Sequence, residues 1–567
     1  MSLVIDPSKL TKNEQLKQRI PTLAGNIAAT LADPAAEKFS EDDEQFIKFH
    51  GVYQQDDRDL RKTGKKWLVM IRGRIPGGVM TPAQWITFDD LATRYGNNTL
   101  RITTRQSIQF HGVVKSGLGA LVRKINDSML STLAACGDVN RNITVSPTPA
   151  TTQARAQVFA DALLVTHALA PKTKAYHSIW IDNVQLNLED PANKDFVDPL
   201  YGQTYLPRKF KVAFAIPPLN DVDVFANCLG FTAIADGHQL AGYNLSAGGG
   251  LGMSHGNAHT YPRLADVIGF ITPDQLVEAA KAILTIHRDF GDRTNRKHAR
   301  LKYVIAEKGV AWFREEVERR QGFKLQPARP FQFTKQGDLF GWHQQTNGNY
   351  FLGLYGETGR IKDANGCQLK SGLRKVVEQF QPELRLTPSQ NLLLVDVKPV
   401  DRDAITKILA DHGVPVENQG SVLRRASMAC PSMPTCGLGL AESERALPDI
   451  LGRIEESLRE AGLPDEEIVI RMTGCPNGCA RSVISEIGLV GRAPGKYQLL
   501  LGGNISGTRL NRIYKESVKA EEIAAELKPL FVRYKSNRQP GERFGDFCVR
   551  SVLPAAAPAS TPAPANG

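Results

Sequence analysis

The chain has 567 residues, of which 42% are hydrophobic, 23% charged and 7% aromatic, with a formal net charge of +11. That length exceeds what one hydrophobic core organises and predicts several domains. No run of about 18 apolar residues occurs, which excludes a transmembrane helix. A basic balance fits nucleic acid, an anionic ligand or an acidic protein partner, but no Lys/Arg-rich tract, zinc-finger spacing or RNP-like sequence supports nucleic acid.

The opening residues, MSLVIDPSKLTKNEQLKQRI, lack the apolar stretch of a secretory signal, so a cytoplasmic location is expected. Residues 1–65 read as a mostly polar N-terminal extension that packs on a partner or links to one. KWLVMIRGRIPGG and TLRITTRQSIQFHGVV then read as strands on either side of the helical TPAQWITFDDLATRY. In a strand alternate residues share a face. That rule sets Arg101, Thr103, Arg105, Ser107, Gln109 and His111 on one side of the second strand, and Leu100, Ile102, Ile108 and Phe110 on the other.

The two-residue spacing of cations recurs along the chain. Arg72 and Arg74 precede PGG, Arg141 lies between two asparagines in GDVNRN, and Lys209 and Lys211 stand in LPRKFKVAFAIPP, where Lys211 opens an apolar strand. Taken singly, each is what a surface strand looks like. Together they suggest a strongly anionic ligand held away from bulk solvent. SAGGGLGMSHGN is either a flexible turn or a loop whose backbone approaches that ligand. Neither it nor GLGLAE has the third glycine of a dinucleotide fingerprint after a strand. Electrons for any redox chemistry are therefore expected from another protein.

From about residue 350 the order of elements returns: NYFLGLYGETGRI, the helical SGLRKVVEQF, then LRLTPSQNLLLVDV. RLTPSQ (385–390) set over RITTRQ (101–106) matches Arg, Thr and Gln at a constant offset, which points to a duplicated half-molecule. Helices such as TPDQLVEAAKAILTIHRDF and PDILGRIEESLREAG mix with short strands between these units, so the class is α+β. The Pro/Ala-rich residues 553–567 cannot build a core and read as a disordered tail.

Half of the chain's 8 cysteines lie in two C-terminal motifs, Cys430 and Cys436 in ACPSMPTCG, Cys475 and Cys479 in TGCPNGCA. In a reducing compartment such clustering points to metal or catalysis. Structural zinc usually shows C-x2-C knuckles and a redox dithiol C-x-x-C, whereas these spacings are C-x5-C and C-x3-C. An iron–sulfur cluster, larger than one ion, accepts varied spacing, and the adjacent Pro and Gly fit turns that aim N–H groups at the sulfurs. Spacing alone ranks a cluster above zinc, and zinc above unliganded core thiols. Cys136, Cys228, Cys367 and Cys548 are scattered and read as ordinary small core or surface residues.

CPSMPTC followed by TGCPNGCARS resembles the cysteine signature of the sirohaem-dependent sulfite and nitrite reductases. FHGVYQQDDRD, RIPGG, RITTRQSIQFHG, DVNRN, LPRKFK and GERFGDFC are similar to other motifs of that family, over nearly the whole chain. The resemblance implies a pseudo-twofold architecture. It comprises two ferredoxin-reductase-like half-domains (66–144 and 345–424) and two sirohaem-domain halves (145–344 and 425–552), the second carrying the cysteines. It assigns Cys430, Cys436, Cys475 and Cys479 to a 4Fe-4S cluster, with Cys479 also the axial ligand of the sirohaem iron. Arg101, Arg105, Gln109, His111, Arg208 and Asn477 would hold the polycarboxylate sirohaem, and Arg74, Arg141, Lys209 and Lys211 a small oxyanion on its distal side. The lysines are the expected proton donors, because arginine stays charged.

Lys211 stands where nitrite reductases of the family typically have asparagine, which favours sulfite. The implied reaction is the six-electron reduction of sulfite to sulfide in sulfate assimilation and cysteine biosynthesis. The implied partner is a flavoprotein (FAD/FMN) subunit that draws on NADPH, in a hetero-oligomer. Alternatives of the same chemistry are ferredoxin as donor and nitrite as substrate. From another class, the reading is a zinc-stabilised nucleic-acid-binding protein.

Overall fold

The computed structural model describes residues 6–149, 152–172, 180–181, 184–185, 197–364 and 366–554. Most of the expected tail, residues 555–567, lies outside them. Among the described residues no helix is long and apolar enough to cross a membrane.

Two five-stranded sheets carry the sequence repeat, and each takes its last strand from the other half. One runs Val52–Asp56, Trp67–Arg72, Ile108–Val113, Leu100–Ile102, Arg360–Ile361. The other runs Gly341–Gln344, Tyr350–Leu354, Leu392–Val397, Glu383–Leu386, Val79–Met80. The exchanged strands pair Arg360 with Arg101 and Val79 with Arg385, so the two arginines matched in the repeat hold equivalent places. Helices Pro82–Tyr95 and Leu369–Phe380 cover the sheets over one shared core in which Trp85, Phe88 and Phe110 meet Leu352, Leu384 and Leu394. The first of these helices begins where the sequence asks it to: Thr81 and Gln84 form a reciprocal capping box, with Pro82 in the first turn.

The alternation read across residues 101–111 as one strand does not survive. Thr103–Ser107 is a tight turn, with the Thr103 N–H donating to the Ser107 carbonyl (2.8 Å) and the Gln106 N–H to Thr103 (3.1 Å). A turn resets the side-chain period, so Arg101 and Arg105 do not share a face. Gln106 and its repeat partner Gln390 both have positive φ, 50° and 74°. The Gln106 amide donates to the carbonyls of Gly77 (3.2 Å) and Leu386 (3.0 Å) and accepts from the Val145 N–H (2.9 Å). Gln390 accepts from the Ala429 N–H (3.2 Å). Each turn glutamine thus pins the small sheets to the first strand of a larger one.

Those larger sheets also share one plan. The first orders Thr144–Val145, Val212–Ala215, Leu229–Asp236, Gln239–Ala247, Asp266–Ile271, and the second Met428–Ala429, Ile470–Thr473, Ile487–Ala493, Lys496–Leu501, Arg512–Lys519. In both, the first three strands are parallel and the rest antiparallel. Val212–Ala215 is buried throughout, as a parallel strand covered on both faces requires.

The opening segment, read from sequence as an extension towards a partner, packs on the chain's own body. Leu16, Phe46 and Phe49 enter the core of the first large sheet, and Phe39, Ile47 and Val52 that of the small sheets. Buried Lys17 donates to the Leu206 carbonyl (2.9 Å) and pairs with Glu14 (2.5 Å) and Asp138 (3.6 Å). The segment supplies an edge strand and a buried charge network, not a free arm.

Candidate active site

The two cysteine motifs meet because the strands before them are parallel neighbours: Met428 pairs with Arg471 and Ala429 with Met472. Cys430 leaves the end of one strand and Cys475 the end of the next. Between them, the Gly474 N–H points at the Cys430 sulfur (3.4 Å) and its carbonyl accepts from Leu440 (2.8 Å) and Ala441 (3.0 Å). A β-carbon on Gly474 would lie 1.7 Å from Ser432 Oγ and 2.4 Å from the Ala441 carbonyl, so only glycine lets the loops interlock. Asn477 Nδ2 approaches the Cys475 sulfur at 3.5 Å.

Burial, reinforced by the charge of a Cys479 thiolate, pushes the Cys430, Cys436 and Cys475 thiols up, Cys475 to about 11. Cys430, Cys436 and Cys475 therefore all lie within electrostatic reach of Cys479. Among the described residues, however, no group of three or more His, Cys, Asp or Glu side chains closes to the spacing that holds a single metal ion. Four thiols brought together by neighbouring strands and met by N–H groups fit a multi-iron cluster, whose ligand spacing is less restricted than that of zinc.

Cys479 differs from the other three in being exposed. It opens onto a cleft lined by Arg105, Lys209, Lys211, Asn227, Arg300, Asn477 and Arg481, with Leu251 and Gly252 of the glycine-rich loop. GDVNRN and LPRKFK are joined by backbone bonds, Leu206 N–H to Asp138 (3.0 Å), Phe210 N–H to Val139 (3.0 Å) and Arg141 N–H to Phe210 (3.0 Å). That pairing sets Arg141 beside the two lysines. Burial first, then Arg208 and Arg300, brings Lys209 down to about 7, while Cys479 opposes them. Burial and Lys209 together push Lys211 well below the usual lysine range. Arg105 is held by the carbonyls of Asn142 (2.6 and 2.9 Å) and Val212 (2.8 Å) and by Asn227 Oδ1 (2.9 Å), and burial with Arg481 lowers it to about 9.

SAGGGLGMSHGN packs against the turn between Cys475 and Cys479. The Met253 N–H donates to the Pro476 carbonyl (2.8 Å), and buried Lys302 ties down the carbonyls of Gly250 (3.1 Å), Gly252 (2.9 Å) and Tyr261. A cleft whose cations depress one another's proton affinity, with a thiol at its wall and Arg300 Nε buried without a partner among the described residues, suits a polyanionic group such as sirohaem.

Comparison with known proteins agrees. The family model described as the nitrite and sulphite reductase 4Fe-4S domain matches residues 161–325, and that of the nitrite/sulfite reductase ferredoxin-like half domain matches 61–128 and 343–412. A curated NADPH sulfite reductase hemoprotein beta-component from Myxococcus xanthus is 49% identical over 96% of this chain and 97% of its own length. Its namesake from Geobacillus kaustophilus is 47% identical over 95% of each. The chain belongs to the nitrite and sulfite reductase family. The solved NirA protein of Mycobacterium tuberculosis superposes with a TM-score of 0.77 over 96% of both chains, which at 24% identity bears on the fold. The family 4Fe-4S match spans Lys209, Lys211 and Arg300 but none of the four cysteines, whose grouping comes from the geometry above.

Within this family member the cations sort differently from their sequence periodicity. Arg74 donates to the Thr166 carbonyl (3.3 Å), and burial lowers it while Tyr201 opposes. Arg72 donates to the Cys136 sulfur (3.2 Å); burial opposes its charge, and Cys136 and Tyr53, then Cys479 and Cys436, hold it up. The strand ends at Arg72, so the period of two does not carry on to Arg74. Arg101 bonds Glu444 (2.8 Å) and the carbonyls of Ala429 (2.8 Å) and Thr358 (3.2 Å). His111 Nδ1 meets Arg360 (3.2 Å), and Gln109 reaches Met70 Sδ (3.4 Å). Arg101 and His111, with Arg360, gather around Glu444, whose N–H donates to the Cys430 carbonyl (3.0 Å). Burial opposes ionisation of Glu444, but Arg360 and Arg101 hold it down at about 2. Arg208 stands half-exposed, 3.9 Å from Asp138.

Sequence reasoning missed Arg300 and Arg481 at the cleft, and Lys302 beneath its glycine-rich loop. Arg481 follows the cysteine motif directly and was open to inference. Arg300 sits in NRKHARLKY, where nothing local sets it apart. Cys136 and Cys228, read as ordinary, accept from the Arg72 and Arg300 guanidinium groups at 3.2 and 3.3 Å.

Proposed function

We propose that this chain reduces sulfite to sulfide at the cleft onto which Cys479 opens, as the hemoprotein component of an NADPH-dependent sulfite reductase of sulfate assimilation. The observation that carries the reading is the exposed thiol of a four-cysteine site facing Lys209, Lys211 and a group of arginines. When bound, sirohaem supplies an iron that takes the sulfur of sulfite, and a 4Fe-4S cluster relays electrons to it.

The chain's residues divide the remaining work. Cys430, Cys436, Cys475 and Cys479 would hold the cluster, and Cys479, at the wall of the cleft, would link it to the sirohaem. Arg105, Arg208, Arg300, Arg481 and Asn477 answer the macrocycle's carboxylates. Arg72, Arg141, Lys209 and Lys211 surround the oxyanion, whose oxygens need charge-assisted donors. Breaking three S–O bonds takes six electrons and sends each oxygen out as water, and Lys209 and Lys211 hand over protons. Arg101 and His111 support the cysteine loop through Glu444. The domain limits of 66–144, 145–344, 345–424 and 425–552 remain the proposed division.

The donor is a separate flavoprotein subunit, in keeping with the lack of a dinucleotide fingerprint, so the assembly is a hetero-oligomer. A cytoplasmic setting fits the reduced thiols. The test is a visible spectrum and metal analysis of the purified protein, then sulfite reduction with NADPH plus the flavoprotein or with reduced ferredoxin. Haem-like bands, iron, and activity in the flavoprotein arm are expected. Zinc alone with no haem-like bands would sink the enzyme reading, and activity with ferredoxin only would replace the donor.

A further inference from the structure

The Cys436 loop lies at the outer edge of the cysteine site. Gly437 and Leu438 are exposed, Leu438 to 65%. The loop is held from the far end of the chain. Arg58 donates from Nη1 to the Gly439 carbonyl (2.8 Å) and from Nη2 to those of Cys436 (3.1 Å) and Gly437 (2.9 Å), and its N–H reaches the Pro434 carbonyl (3.3 Å). Two nitrogens of one planar fork satisfy three carbonyls, a geometry that a lysine ammonium does not reproduce. The adjacent pair Asp59–Arg445 (2.6 Å) is 54% and 45% exposed and contributes little.

We propose that Arg58 is a positioning residue for the iron–sulfur site, clamping the Cys436 loop and fixing a positive charge beside the cluster. The inference rests on the assignment of a cluster to the four cysteines. A cation close to the cluster stabilises its reduced, more negative state and so raises its reduction potential. The clamp closes the loop over Cys436 and slows loss of iron.

The holoenzyme tests this by spectroscopic potentiometric titration and by the rate of iron release to a chelator. Arg58→Met should shift the cluster to a more negative potential and release iron at least about tenfold faster, since it loses three charge-assisted hydrogen bonds and even one is worth about that factor. Arg58→Lys should keep the potential near that of the unmodified protein yet release iron faster. Asp59→Asn should change neither. An Arg58→Met protein whose remaining clusters titrate at the unmodified potential would overturn the proposal. If that variant retains no cluster, a potential in Arg58→Lys as negative as full charge loss implies overturns it instead. Absence of iron and sulfide from the unmodified protein would refute the cluster reading itself, and so is distinguishable from both.

Discussion

Lys209 and Lys211 are cations among cations, and their charge is held in a place that disfavours it. An arriving dianion is what such a pair is short of. Lys211→Asn removes one of the two and should lower kcat/KM for sulfite about tenfold or more, with a smaller loss on nitrite. Steady-state assays on both substrates check this, and equal losses would count against the substrate argument. The arginines allow a sharper contrast. Arg72→Ala should cost about a hundredfold in kcat/KM for sulfite, as loss of an oxyanion donor does. Arg74→Ala, whose side chain contacts the Thr166 carbonyl, should cost less than tenfold. The reverse order would return the oxyanion role to Arg74.

At the scale of the element, the site depends on loops that touch backbone to backbone. A β-carbon on Gly252 would lie 2.9 Å from the Asn477 carbonyl, so Gly252→Ala must push the glycine-rich loop off the turn between Cys475 and Cys479. The cost should be roughly 1–3 kcal/mol, as for other overpacked contacts, read from denaturant unfolding. The visible bands of the bound haem should shift as well, because the displaced turn ends in Cys479. Unchanged bands with unchanged stability would mean that the loop yields freely. The TGCPNGCA motif itself was plain in the sequence. That a loop more than two hundred residues earlier closes on it was not, since glycine enrichment says only that backbone can come close, not to what.

Over the whole molecule, the exchanged strands make the two halves one folding unit with buried charge at their junction. Asp221 accepts a hydrogen bond from Ser146 (2.7 Å) and lies near Asp338, which in turn accepts from Thr387 (2.5 Å) and Asn391 (2.8 Å) of the second half. Burial, with Asp338 adding and Ser146 opposing, raises its carboxyl to about 7, against about 4 in an unfolded chain. The folded state therefore keeps a proton that the unfolded chain releases. The stabilisation this supplies is complete below about pH 4 and is lost as pH rises to about 7. Asp221→Asn removes that dependence, so its stability relative to the unmodified protein should improve from pH 5 to pH 8. Denaturant midpoints at the two pH values measure it, and a pH-independent difference would show that Asp221 is ionised when folded.

The sequence by itself determined what is written locally: the cysteine pairs and their spacing, the repeat of RITTRQ in RLTPSQ, the apolar strands, the cations of GDVNRN and LPRKFK, and the loop rich in glycine. Spacing along one element constrains side chains only while that element continues. The period of two failed at the ends of strands, after Arg72 and at the turn Thr103–Ser107. Tertiary structure alone decided that Arg72 meets Cys136, that Arg101 and His111 serve Glu444 and Arg360, and that Arg58 grips the Cys436 loop. Each of these pairs distant segments whose meeting depends on how the sheets exchange strands and stack, and no local pattern of residues encodes that.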